Sequence, residues 1–267
     1  MHNAIYTGLQ KEVEVILAKP RGFCAGVSRA IEIVKLAIEY YKDTKTIYVL
    51  HEIVHNKYIV ETLKTMGVIF IDKVDQAQDG SVLIYSAHGV SKSIKQLAEL
   101  RNLEVIDATC PLVNKVHKEV QLYDKSGYQV ILIGHKGHRE VEGTVGQIST
   151  PVIIVQNLND IDKIEISDRD KLAYVTQTTL SVDDTKVIID KLKKKFPNIK
   201  GPDLKDICYA TGITAGASAP DILVQQVIDF LKQHMKVKLS DLEIVQESVT
   251  FNVPRQLRQY KEQYNPI

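Results

Sequence analysis

Short apolar runs alternate with longer amphipathic stretches along most of this chain. The apolar runs predict strands over 13–18, 46–50, 68–71, 82–86, 104–107, 129–133, 152–155 and 172–175. The amphipathic stretches predict helices over 26–41, 56–66, 91–101, 111–126, 140–149, 182–195 and 219–234. Strands that alternate with helices in this way form βαβ units and mostly parallel sheets. The pattern therefore predicts an α/β fold.

Composition narrows the class of protein. The chain has 267 residues, of which 44% are hydrophobic and 25% are charged, enough for two or three compact lobes. The net charge of +1 gives no general attraction to nucleic acid or to an anionic membrane. The longest apolar runs fall far short of the roughly 20 residues of a membrane span, and the N-terminus lacks the apolar core of a signal peptide. We expect a cytoplasmic protein with neither nucleic acid nor membrane as a partner.

The three cysteines, Cys24, Cys110 and Cys208, share one local setting. Each follows a strand-like run and opens a helix-like segment. An odd count argues against a disulfide framework, and spacings of 86 and 98 residues exclude a local C-x-x-C metal site. The repeated setting predicts three lobes, and one thiol lies close to each of their boundaries. These lobes are 26–110, 111–204, and a third one made of 1–25 and 205–267.

Polar side chains gather where the predicted strands end. In parallel sheets, ligands bind beyond the carboxyl ends of the strands, where loops lead into helices. The strand-end residues of interest are His51, His55, His88, His135, His138, Glu140 and Thr178.

The segment His51–His55 reads HEIVH and matches the H-E-x-x-H pattern of zinc proteases. That pattern needs both histidines on one face of a helix. Here the segment lies in the turn between a predicted strand and the helix that follows it. We therefore reject the zinc-protease interpretation.

The candidate side chains together suggest a reaction class. Three thiolates without a fourth suit an iron–sulfur cluster or a metal with one open coordination position. Imidazoles, hydroxyls and helix N-termini suit a phosphorylated or diphosphate ligand. Glu140, two residues after His138, is placed to transfer protons. The set favours a Lewis-acid or redox reaction of a small anionic substrate.

Eight ordered motifs resemble one enzyme family. They read PRGFCAGVSRAI, HEIVHN, SAHGVS, DATCPLV, GHKGHREVEGT, TQTTLSVDDT, DICYAT and GITAGASAPD. Together they resemble the 4-hydroxy-3-methylbut-2-enyl diphosphate reductases of the methylerythritol phosphate route to isoprenoids. The resemblance implies a three-lobed α/β fold around a central [4Fe-4S] cluster. It also implies removal of an allylic hydroxyl by two electrons and two protons, giving isopentenyl and dimethylallyl diphosphates.

The resemblance also assigns roles to residues of this chain. It implies that Cys24, Cys110 and Cys208 hold the cluster and leave one iron open for substrate. It implies that Glu140 delivers protons and that Thr178 orients the substrate hydroxyl. A ferredoxin or flavodoxin is the implied electron donor. The side chains implied to bind the allylic diphosphate substrate are His51, His55, His88, His138, Thr178 and Ser218.

The chain departs from the family pattern at two places. Arg139 stands where the family usually has proline, and a cation beside Glu140 is expected to lower the pKa of that carboxyl. The motif ending at Thr211 runs directly into GITAGASAP, so that about sixty residues of strands and helices are missing. The third lobe is thus predicted to be truncated, with a narrow sheet and uncovered apolar faces.

Three hypotheses remain open at this point. The first is a working reductase that tolerates the short third lobe. The second is an internally deleted member of the family with impaired catalysis. The third is a non-catalytic metal-binding module that holds zinc on its thiolates.

Overall fold

The structure is a computed structural model that describes residues 12–19, 22–166, 171–202, 220–243 and 249–264. The chain divides into two compact units. The smaller comprises Met1–Cys24 and Ala210–Val249, and the larger comprises Ala25–Tyr209 and Thr250–Ile267. Two predicted site residues, Cys208 and Ser218, lie outside the described ranges. Within those ranges, no helix has the length and apolar character needed to cross a membrane.

Strands and helices alternate along much of the chain. The strands in chain order are β1 (Glu12–Lys19), β2 (Ile47–Leu50), β3 (Ile69–Ile71), β4 (Val82–Tyr85), β5 (Glu104–Asp107), β6 (Gln129–Ile133), β7 (Ile153–Val155), β8 (Leu172–Thr176) and β9 (Lys236–Glu243). The α-helices are α1 (Ala25–Tyr41), α2 (Lys57–Thr65), α3 (Lys92–Leu100), α4 (Pro111–Lys125), α5 (Arg139–Val145), α6 (Leu158–Asp162), α7 (Val182–Lys195), α8 (Asp221–His234) and α9 (Arg255–Tyr264). A short 3₁₀ helix covers Val74–Gln76.

Two parallel sheets form the framework of the larger unit. One has four strands in the order β3-β2-β4-β5, and the other has three in the order β7-β6-β8. The central strands β4 and β6 contain runs of fully buried apolar side chains, Val82–Tyr85 and Val130–Ile133. Continuous apolar runs of this kind are typical of parallel strands covered by helices on both faces. The predicted α/β fold with parallel sheets is confirmed.

The division into three lobes stays a prediction, although the sheets fall within its proposed boundaries. The four-stranded sheet lies between residues 47 and 107, and the three-stranded sheet between 129 and 176. Both sheets belong to the same compact unit. The four-stranded sheet therefore occupies the predicted lobe 26–110, and the three-stranded sheet occupies the predicted lobe 111–204.

The predicted elements agree closely with the observed ones, with a few informative differences. Helix α5 ends at Val145 rather than at residue 149, because Gly146 caps it. The sequence analysis missed β9, in which four of eight residues are charged, and α9, whose surface is largely polar. Such segments carry little apolar periodicity, which is the signal that the other predictions used.

The smaller unit has a narrow sheet. Its described strands, β1 and β9, pair in parallel over eight residues, and α8 packs against β9. Several of its apolar side chains are exposed, including Ile16 (59%) and Phe230 (60%). These observations agree with the predicted truncation, since a two-stranded sheet buries little apolar surface by itself.

We expect the amides of β1 and β9 to exchange hydrogen with solvent at least about tenfold faster than those of β4. Each strand of the narrow sheet has one partner among the described strands, whereas β4 is bonded on both sides and buried. Hydrogen–deuterium exchange followed by mass spectrometry measures both segments in one experiment. Equal protection would contradict the expectation.

Candidate active site

The polar loops of the larger unit follow the carboxyl ends of its parallel strands. His51 and His55 follow β2, and His88 follows β4. In the second sheet, His138 follows β6 and Thr178 follows β8. Strand ends of parallel sheets are where α/β proteins bind ligands.

Three of the predicted histidines form a cluster that joins the two sheets. The ring centroids of His55 and His88 are 4.2 Å apart, and those of His55 and His138 are 5.1 Å apart. His88 and His138 are separated by 5.7 Å between centroids. The Nε2 atoms of His55 and His138 lie 3.2 Å apart. The structure therefore brings these three sequence-predicted residues together.

His138 has a defined tautomer in its neutral form. It is the N-cap of α5, and its Nδ1 accepts a hydrogen bond from the backbone N–H of Glu140 at 3.1 Å. Since Nδ1 is an acceptor, the ring hydrogen lies on Nε2. That nitrogen faces the cluster and is able to donate to an anion.

Solvent exposure increases across the histidine cluster from His88 to His55. His88 is buried, His138 is half-buried, and the side chain of His55 is 52% exposed. Burial lowers the pKa of His88 to about 3, and the charges of His55 and His138 lower it further. The pKa of His138 is lowered for the same two reasons, burial and neighbouring histidines. His88 and His138 therefore favour their neutral forms, and the cluster is open to solvent on the His55 side.

His51 is positioned by contacts with the end of the neighbouring strand β3. Its backbone adopts a left-handed conformation, with φ of 62°, which is uncommon for a residue other than glycine. Its N–H donates to Ile71 O at 2.7 Å, and its Nδ1 is 3.8 Å from an oxygen of Asp72. Helix α2 begins only at Lys57, so that the HEIVH segment is not helical. The prediction that this segment lies in a turn between a strand and a helix is confirmed.

Glu140 is a buried carboxyl held by one partner residue. It is 2% exposed, in the first turn of α5. Its Oε1 accepts from the backbone N–H of Thr178 at 2.6 Å, and the Thr178 side chain also bonds to it. Burial raises the pKa of Glu140 to about 7, although both Thr178 hydrogen bonds act to lower it. The carboxyl is thus able to hold a proton near neutral pH and to release it.

Arg139 does not lower the pKa of Glu140, and that expectation was wrong. Its guanidinium pairs instead with the exposed Glu142 at 3.1 Å, and burial determines the direction of the Glu140 shift. The arginine charge acts on the imidazoles: it helps to lower the pKa values of His51 and His88. The substitution for proline therefore affects the histidines of the site.

Cys110 lies at a helix N-terminus. It is half-buried, it is the N-cap of α4, and Pro111 occupies the first helical position. Its N–H donates to Ala87 O at 2.9 Å, which ties its loop to the end of the neighbouring strand. The helix dipole favours a negative charge at such a position.

Arg29 of α1 fixes the loop that carries Cys110. Its Nη1 donates to Thr109 O at 3.1 Å, and its Nε donates to Asn252 O at 2.6 Å. Burial lowers the pKa of Arg29, and the charges of Asp107 and Cys110 oppose that shift. The guanidinium therefore provides positive charge to this loop as well as hydrogen bonds.

The remaining predicted residues are less closely connected in the structure. Cys24 is half-buried and is the last residue of the smaller unit, directly before α1 in the chain. His135 is exposed, and its N–H donates to Gln177 Oε1 at 3.0 Å. Among the described residues, which do not include Cys208, no group of three metal-ligating side chains is close enough to hold a metal ion.

Sequence reasoning missed two residues that organise the site. Arg29 lies inside an apolar helical stretch, and Gln147 follows α5 in a polar segment. Both donate to backbone carbonyls of distant loops. The sequence offered no signal for these bonds, because every residue has a backbone carbonyl and the residue type does not show which one accepts.

A family model described as LytB protein matches residues 15–212, which is well over half of the chain. The chain belongs to the LytB family. All of the residues placed above in the larger unit, from Arg29 to Thr178, fall within this match.

The chain is also similar to two named relatives and to one solved structure. A protein of Ehrlichia ruminantium (strain Gardel), named 4-hydroxy-3-methylbut-2-enyl diphosphate reductase, is 80% identical over 328 residues, covering 100% of both chains. An Anaplasma marginale (strain St. Maries) protein of the same name is 47% identical over 304 residues, covering 91% of this chain and 89% of its own. The solved reductase of Plasmodium falciparum superposes with a TM-score of 0.86 at 33% identity, covering 94% of this chain and 98% of that one.

The LytB chain described here is shorter than its Ehrlichia relative. The alignment spans 328 positions and covers both chains fully, whereas this chain has 267 residues, so that 61 positions have no counterpart in it. This agrees with the predicted loss of about sixty residues. Its location after Thr211 stays a prediction, and the family match ends next to it, at residue 212.

Replacing Glu140 by glutamine is expected to stabilise the protein more at pH 8 than at pH 5. The folded-state pKa is raised from 4.5 to about 7, so that wild-type stability falls as the pH rises through this range. Glutamine stays neutral and keeps an oxygen for the Thr178 N–H. We expect the variant's advantage to grow by about 1–3 kcal/mol between these pH values.

Urea unfolding at a series of pH values measures this difference. The matched control is Glu142→Gln, since Glu142 lies on the same helix but is exposed. Its effect on the free energy of unfolding should be similar at both ends of the range. A difference for Glu140→Gln that does not vary with pH would contradict the assigned pKa direction.

Proposed function

We propose that this chain catalyses the reductive removal of the allylic hydroxyl from 4-hydroxy-3-methylbut-2-enyl diphosphate. The observation that carries the proposal is the buried Glu140, whose pKa is raised to about 7 and which is two residues from a histidine of the anion-binding cluster. A proton donor beside an anion cradle is what this reaction requires. Family membership and the names of the relatives support the same reaction.

The diphosphate would be held by the histidine cluster. His55, His88 and His138 converge from two sheets, and Nε2 of His138, which carries the ring hydrogen, lies 3.2 Å from Nε2 of His55. Charge-assisted hydrogen bonds to an anion are stronger than bonds between neutral groups. Binding at this position would orient the substrate and leave its hydroxyl near the carboxyl of Glu140.

Glu140 and Thr178 would act at the leaving oxygen. The substrate gains two electrons and two protons, the C–O bond breaks, and the oxygen leaves as water. Glu140 in its neutral form donates a proton to that oxygen, and the Thr178 hydroxyl orients it. The N–H of Thr178 then stabilises the carboxylate that remains.

The chemistry of the described thiols fits an iron–sulfur cluster. Cys110 is half-buried at a helix N-terminus near the Arg29 guanidinium, a setting that favours the thiolate form needed for a ligand. We propose that Cys24, Cys110 and Cys208 would hold a [4Fe-4S] cluster. When bound, the cluster would supply electrons and a Lewis-acidic iron, and a ferredoxin- or flavodoxin-type protein would reduce it.

Anaerobic reconstitution with iron and sulfide tests this function. We expect iron and sulfide in the purified protein, absorption near 400 nm, and turnover of the allylic diphosphate with a chemical reductant. A cluster without turnover would instead indicate an internally deleted, impaired enzyme. Zinc without sulfide would indicate a metal-binding module.

The proton-donor role has a sharper test. Glu140→Gln should lower kcat by about 100-fold or more, because general acid catalysis contributes a factor of this size. Wild-type activity should also decline as the pH rises through about 7, where Glu140 loses its proton. Glu142→Gln is the control and should retain activity. Unchanged turnover in Glu140→Gln would refute the role.

Binding of inorganic pyrophosphate is expected to take up protons near pH 6.5. The pKa values of His88 and His138 are lowered in the ligand-free protein, and a bound anion raises the pKa of a neighbouring imidazole. Calorimetry in two buffers of different ionisation enthalpy measures the number of protons taken up. Equal binding heats in both buffers would count against an imidazole-based anion site.

A further inference from the structure

The histidine loop of one sheet and helix α5 of the other meet in a close backbone contact. At Gly143 of α5, a Cβ atom would lie 3.0 Å from Gly89 O and 3.3 Å from Val90 N. At Gly146, it would lie 2.2 Å from Cβ of Ser91. A side chain at either position would push the helix away from the loop. The two glycines therefore allow the closest approach of these two elements.

Gln147 bonds the same two elements together. Its side chain is buried, with 3% exposure. Its Nε2 donates to Val90 O at 2.8 Å and to Gly143 O at 2.7 Å, and its Oε1 accepts from Gln121 Nε2 at 3.0 Å. Both amide hydrogens and the amide oxygen thus have partners. We call this arrangement of Gln147, Gly143 and Gly146 against residues 89–91 the glycine–glutamine joint.

The glycine–glutamine joint connects the loop and the helix that carry the residues of the proposed reaction. His88 directly precedes the loop 89–91 that contacts α5. His138 and Glu140 lie at the opposite end of α5, which has seven residues and is therefore about 10 Å long. Another bond, from Lys92 N–H to Gly146 O at 3.0 Å, fixes the start of α3 to the end of α5. The distance between His88 and His138 thus depends on how closely the loop and the helix approach each other.

We propose that Gln147 is a positioning residue for the diphosphate site, and that Gly143 sets the separation between the two halves of that site. The proposal rests on the proposed function, because it takes the histidine cluster to be the diphosphate cradle. Gln147 acts through Val90 and Gly143, not by contact with the ligand. A buried amide that bonds a loop to a helix determines their relative position more strictly than apolar packing does, because its hydrogen bonds hold only at one separation of the two elements.

Replacing Gln147 by methionine tests the proposal. Methionine has a similar length but donates no hydrogen bond, so the joint should loosen. We expect pyrophosphate to bind about tenfold more weakly, measured by calorimetry on the full chain. In the loaded enzyme, KM for the substrate should rise by a larger factor than kcat falls.

The matched control is Thr185→Val. Thr185 is buried in α7 of the same unit, and its Oγ1 donates to Ser181 O at 2.6 Å, so that its loss should also lower stability. Its pyrophosphate affinity should stay within about twofold of wild type. Equal losses of affinity in Gln147→Met and Thr185→Val, at similar losses of melting temperature, would overturn the positioning role.

Gly143→Ala provides a second test that removes no hydrogen bond. Alanine favours the helix by about 1 kcal/mol over glycine, while its Cβ must displace the loop by a few tenths of an ångström. We expect weaker pyrophosphate binding without a matching loss of stability. Unchanged affinity in both variants, with normal binding by the wild type, would overturn this inference alone. A wild-type chain that binds no pyrophosphate would overturn the proposed function and this inference with it.

Discussion

The hydrogen bond from the Thr178 N–H to the buried Glu140 carboxyl is the interaction on which the site depends. It joins the first turn of α5 to the loop after β8, 38 residues away in sequence. A carboxyl without this partner would be costly to bury, and a carboxyl that was not buried would keep an ordinary pKa. The same contact therefore holds the group in place and allows its pKa to rise to about 7.

The other parts of the site are arranged around α5. His138 caps its N-terminus, Glu140 occupies its first turn, and Gly143 and Gly146 contact the loop after His88. One seven-residue helix thus connects His138, Glu140 and the loop of the four-stranded sheet that follows His88. Because α5 contacts that loop through main-chain groups, a small displacement of the helix would change the relative positions of all three.

The predicted location of the missing positions, after Thr211, falls in the sequence range of the smaller compact unit. The larger unit keeps both of its sheets, its histidine cluster and Glu140 despite the 61 positions that this chain lacks relative to its Ehrlichia relative. The described part of the smaller unit has a two-stranded sheet and several exposed apolar side chains. His55, His88, His138 and Glu140 all belong to the larger unit.

The sequence by itself determined the order of strands and helices, the parallel sheets and the strand-end positions of His55, His88, His138 and Glu140. These features follow from local apolar periodicity and from a general rule about where parallel strands end. Only the tertiary structure decided that Glu140 is buried, that Arg139 pairs with Glu142 and acts on the histidines, and that Gln147 bonds the carbonyl of the distant Val90. Burial and hydrogen bonding to backbone depend on residues far apart in the chain, and no local pattern records them.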